Sequence, residues 1–152
     1  KMAITTEQIK QLREKTGLSI AQVRFALEEA NGDKDKAIAI LQKNASGIAA
    51  KKGNRALGAG CITAYIHAGD TVGVLLELMC ETDFVAKNPE FKAVAREIAM
   101  HVAAMNPSSN EELLEQPFIK DPSKTIADLV NSTVQKFGER TEIGRFIRFA
   151  VK

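Results

Sequence analysis

The chain has 152 residues, 45% hydrophobic and 26% charged, a composition that allows one ordinary domain or a small module beside a modest one and argues against global disorder. Lys and Arg number 21 against 19 Asp and Glu, and a net charge of +2 falls well short of the excess that sequence-independent phosphate binding needs. Direct nucleic-acid binding is therefore not expected, and the longest apolar run, Val72 to Leu76, is too short to span a bilayer.

Three helices are predicted first, each with its own start and stop signals. Thr5 with Gln8 forms a capping-box pattern ahead of Ile9 and Leu12, and Gly17 ends that helix. Ser19 with Gln22 repeats the pattern ahead of Val23, Ala26, Leu27 and Ala30, and Asn31 with Gly32 stops it. Asp33 caps a third helix with Ala37, Ile38 and Leu41 as its buried stripe, ending near Asn44. Residues 1–44 thus read as a three-helix bundle. Residues 45–59, rich in Ala, Gly and base, read as a linker with at most a short exposed helix.

Residues 60–152 read as an α+β core. Ile62, Ala64 and Ile66 alternate on one strand, His67 to Thr71 turn, and Val72, Val74, Leu76, Leu78 and Cys80 alternate on the return. Asn88 and Pro89 then open a helix whose Phe91, Val94, Ala95, Ile98, Val102 and Met105 recur at helical spacing and must lie on the sheet. One helical turn is predicted over 110–114, Pro117 and Pro122 bracket a connection, and a further helix over 123–137 ends at Gly138. In the last stretch Arg145, Ile147, Phe149 and Val151 share one face and Phe146 with Arg148 the other, which predicts a third strand.

Few residues offer reactive chemistry. His67 and His101 are the only histidines, and neither has a companion at metal-ligand spacing, so no metal and no cofactor are expected. Cys61 and Cys80 fall on strands whose register does not place them opposite each other. Glu81 and Asp83 would raise the Cys80 thiol pKa rather than lower it. The first residues, Lys1 to Thr5, carry no signal or transit pattern, and Lys1 ahead of Met2 reads as an addition to the natural start. A reducing cytoplasmic setting is expected, with an organellar matrix after processing as the alternative.

One segment resists a purely structural account. In Cys80, Glu81, Thr82, Asp83, Phe84, Val85, Ala86, Lys87, two bulky apolar residues occupy a short acidic connection. Thr82 or Asp83 can serve as an N-cap with Phe84 tucked beneath it. The alternative is an exposed aromatic at a loop tip, shaped to enter a partner's pocket.

This segment matches the signature Cys-Glu/Gln-Thr-Asp-Phe-Val-Ala-Lys, and the whole chain resembles the bacterial translation elongation factor Ts family. Leu12 to Gly17, Glu29 to Asp33, His101 to Pro107, Gln116 to Phe118 and Arg145 to Phe149 are similar to that family's motifs in the same order. The resemblance implies an amino-terminal ubiquitin-associated-like bundle and guanine-nucleotide exchange on elongation factor Tu, without covalent catalysis. It implies that Asp83 and Phe84, flanked by Thr82 and Val85, enter the partner near its magnesium and phosphate site. Ile20 and Ala21 stand where members have two bulky contact residues, Arg24 stands at a contact lysine, and His67 corresponds to a second contact region. A single core subdomain and the short link from Pro107 to Gln116 resemble compact members that work as dimers, and Ile147 stands where some of those carry a bridging cysteine. Two other functions remain open on the residues alone: a ubiquitin-like-binding adaptor using the loop at 17–21, and a small hydrolase using Cys80 and His101.

Overall fold

A computed structural model describes residues 3–151, so the reading of Lys1 and Met2 lies outside it. Helices α1 (Thr6–Thr16), α2 (Ile20–Glu29) and α3 (Lys34–Lys51) open the chain. Both expected capping boxes form: Thr5 accepts from the Gln8 backbone and Ser19 from that of Gln22, with each glutamine reaching back to its cap. Gly17 ends α1 in the left-handed region at φ 68°, and Asp33 caps α3 through the Asp35 and Lys36 N–H groups. Leu12, Leu18, Val23, Ala26, Leu27, Ala37 and Leu41 close a core of their own.

The third helix does not stop at Asn44. It continues across 45–51, into the stretch read as linker, because Ala45, Ala49 and Ala50 are strong helix formers and Gly47 costs only about 1 kcal/mol within a helix. Tertiary contact completes the explanation: Ala45 is buried, and Ser46, Ala49 and Ala50 line a groove shared with Val130 and Val134 on the second layer. The bundle is therefore seated on the rest of the molecule.

That second layer consists of β1 (Ala59–Ile66), β2 (Val72–Cys80), α4 (Asp83–Ala86), α5 (Pro89–Met105), α6 (Asn110–Glu115), β3 (Pro117–Phe118), β4 (Asp121–Thr125), α7 (Ile126–Phe137) and β5 (Glu142–Ala150). The sheet is antiparallel in the order β1-β2-β5, the three strands expected. β3 and β4 add a small two-stranded ribbon where a plain connection was expected. Because β4 takes residues 121–125, α7 starts at Ile126 rather than Ser123, with Thr125 and Asp128 forming a capping box.

The inner face of the sheet carries Val74, Leu76, Leu78 and Cys80, against which α5 lays Phe91, Ala95, Ile98, Ala99 and Val102. Met105, read as part of that stripe, is half exposed where α5 ends at Asn106. Cys61 pairs with Leu78 and Ala59 with Cys80, so the two thiols are not opposite, and both are free. The outer face is unusual: Ile62, Ile66, Leu75, Ile147 and Phe149 all point outward, and Val151 just beyond β5 is exposed as well. Alternation in β1 thus marks the uncovered face, while Cys61, Thr63 and Tyr65 turn inward.

Candidate functional site

At the end of β2 the chain must turn into α5, and α4 is that turn. Thr82, extended at φ −128° and ψ 152°, caps α4 by accepting the Val85 N–H at 3.4 Å. One turn later Asn88 caps α5 through the Glu90 N–H at 2.8 Å, with Pro89 as its first residue. Two caps in succession fix the direction of every side chain between them. Val85 and Ala86 point into the core at 4% exposure each, and Phe84 is thrown outward at 86%. Both sequence readings hold in part: Thr82 is the cap, but Phe84 is not tucked beneath it. Asp83 is exposed beside Phe84, at the first position of the turn.

A second loop grips this turn. Past the α7 stop at Gly138, Glu139 Oε1 accepts the Glu81 N–H at 3.2 Å and the Thr82 N–H at 3.0 Å. Its Oε2 accepts the Thr82 hydroxyl at 2.7 Å. In return Glu81 Oε2 accepts the Arg140 N–H at 2.6 Å, and Arg55 pairs with Glu81 Oε1 at 3.4 Å. Burial opposes ionisation of Glu81, but the Arg140 N–H and Arg55 outweigh it and hold the carboxyl below its ordinary value. Sequence reasoning missed Glu139, which lies 57 residues from Thr82 and carries no local signal.

The other candidate residues lie elsewhere. Ile20 and Ala21 open α2 as exposed side chains, and Arg24 one turn on is exposed and paired with Glu28 at 2.8 Å. Phe25, which the sequence reading did not single out, is also exposed on this helix. His67 sits in the hairpin turn with Nδ1 3.1 Å from the Tyr65 hydroxyl. The nine residues of β2 separate that turn from Phe84, a span of roughly 30 Å. Such dispersed groups suit docking to a large partner better than enclosing a small substrate.

Cys80 and His101 are committed to structural bonds. Burial, then the negative charge of Glu139, pushes the Cys80 thiol up to about 11, and its Sγ contacts the Thr82 carbonyl at 3.3 Å. His101 is fully buried; Nδ1 accepts the Ile119 N–H at 3.2 Å, so Nε2 carries the proton and donates to Gln116 Oε1 at 2.9 Å. Burial lowers its pKa, in keeping with a neutral ring that ties the β3 segment to α5. Among the described residues no group of three or more His, Cys, Asp or Glu could hold a metal, and no helix is long and apolar enough to cross a membrane.

A sequence model described as Elongation factor TS matches residues 3–112 and 81–152. The chain is 40% identical over 191 residues to elongation factor Ts of Carboxydothermus hydrogenoformans, covering 96% of this chain and 88% of that protein. The chain belongs to the elongation factor Ts family. Its likeness to the Thermodesulfovibrio yellowstonii member is 40% over 194 residues, covering 99% of this chain and 97% of that one. Both alignments are longer than this chain, so these relatives carry residues it lacks. To the Trichlorobacter lovleyi member it is 42% identical over 149 residues, which covers 98% of this chain and 48% of that relative.

Proposed function

We propose that this chain is a guanine-nucleotide exchange factor that binds elongation factor Tu in its GDP-bound and nucleotide-free forms and promotes GDP release, with Phe84 as its wedge. One observation carries the reading: a phenylalanine 86% exposed on a turn whose next two residues are anchored in the core. Leaving so large an apolar side chain in water forgoes about 1.5 to 3 kcal/mol, which becomes available when a partner covers it. That is worth one to two decades of affinity at about 1.4 kcal/mol per decade. Asp83 beside it brings a negative charge toward the partner's magnesium and phosphate site. Ile20, Ala21 and Arg24 add a second contact, and His67 a third.

The mechanism needs no covalent step. A protein that binds the nucleotide-free partner more tightly than the loaded one must weaken nucleotide binding by the same factor. Phe84 acts by occupying space between elements of the partner that close around GDP, and Asp83 by competing electrostatically with the phosphates. On this reading the protein works in the cytoplasm, where translation takes place. Stopped-flow release of labelled GDP from elongation factor Tu tests it: a substoichiometric amount of the chain should accelerate complete release, and an unchanged rate would overturn it.

The same reading includes a homodimer. Ile62, Ile66, Leu75, Ile147, Phe149 and Val151 form an exposed apolar area on a single small sheet, and a second copy related by a two-fold axis would cover it.

A further inference from the structure

We infer that Glu139 is a positioning residue for exchange, holding Phe84 at the height and angle from which it meets the partner; the inference rests on the wedge reading above. A four-residue helix is far below the length at which helices are stable alone. An outward-pointing Phe84 gains nothing from its own burial. The Thr82 cap and the buried Val85 and Ala86 set its direction, and the structure supplies one carboxylate from outside the turn that holds the cap in place.

Glu139 engages three donors of the turn. The two backbone N–H groups at Glu81 and Thr82 precede the first helical residue and have no partner within the helix, so the carboxylate supplies one with charge-assisted bonds. The third bond also sets an orientation. Because the Thr82 hydroxyl gives its proton to Glu139 Oε2, its lone pairs are left to accept the Val85 N–H, which is the cap itself. Removing Glu139 frees that hydroxyl to rotate and loosens the cap from behind. The reciprocal Glu81 to Arg140 bond fastens the two loops a second time, which fixes Glu139 in turn. The consequence is a wedge ordered before contact, so that binding does not have to pay for ordering it.

The test is a double-mutant cycle on the full chain, read by GDP release from elongation factor Tu and by thermal melting. Glu139→Ala should slow release about five- to tenfold in the native background but less than about twofold when Phe84 is already Ala, since the positioned group is then gone. Glu139→Gln keeps one acceptor oxygen and should lose less than about threefold, giving a second variant should the alanine form fold poorly. Backbone amides of Glu81 and Thr82 should exchange hydrogen faster in Glu139→Ala. Equal losses in both backgrounds would mark a general stability effect and overturn the inference, as would native release by Glu139→Ala. If Phe84→Ala slows release and Glu139→Ala does not, this inference fails and the wedge stands; if Phe84→Ala releases GDP at the native rate, both fail.

Discussion

Phe84 and Phe91 stand on either side of the Asn88 cap, the first 86% exposed and the second fully buried against the sheet with its ring edge-on to Phe137 at 5.9 Å. The same truncation should therefore give opposite results. Phe91→Ala removes core volume and should cost about 3 to 5 kcal/mol, whereas Phe84→Ala should stay within about 0.5 kcal/mol of the native protein. Thermal melts of the two variants check this, and a large destabilisation by Phe84→Ala would contradict a solvent-facing ring.

Asp83 is separable from the cap beside it. Thr82 supplies the capping oxygen, so Asp83→Asn should leave the melting temperature nearly unchanged while slowing exchange, because it removes charge and keeps shape. Native exchange by this variant would confine the wedge to sterics.

A titration on the sheet offers an independent check. Arg145 bonds Glu77 through Nε to Oε1 at 2.8 Å and through its second guanidinium nitrogen to Oε2 at 3.0 Å, and the Arg145 N–H adds a bond at 2.8 Å. These bonds hold the Glu77 carboxyl down to about 2. A depressed carboxylate stabilises the fold fully above its ordinary value of 4.5 and loses that contribution as pH falls toward 2. Carboxyl NMR should show Glu77 titrating near the lower figure, and Arg145→Ala should return it toward the ordinary one.

Much of this architecture was legible locally. Thr5, Ser19, Asp33, Asn88 and Gly138 are side chains or glycines whose chemistry acts within one helical turn, and each acts where the sequence places it. The continuation of α3 was legible only in part: Ala45, Ala49 and Ala50 favour helix locally, but the surface on α7 that seats them leaves no local signal. Alternation in β1 gave the strand but not which face is covered, since a period of two is the same from either side. The direction of Phe84 depends on Val85 and Ala86 claiming the core positions, and the role of Glu139 depends on two loops meeting across the fold.

Self-association should be visible without any partner. Sedimentation at micromolar concentration should give about twice the 16.5 kDa chain mass, and Phe149→Lys should shift it to monomer by placing charge in the apolar face. Reductant should change nothing, because Cys80 is buried, Cys61 is half-buried and Ile147 offers no thiol. A single monomeric species in the native protein would rule out the dimer and leave the exchange reading intact.

The most direct measurement is the rate of labelled GDP release from elongation factor Tu with the native chain and with Phe84→Ala at equal concentration. Truncating an interface anchor typically costs about 2 kcal/mol or more, so the variant should be slower by at least about tenfold while melting at the native temperature. Equal rates for the two proteins, or no acceleration by the native chain, would contradict the account.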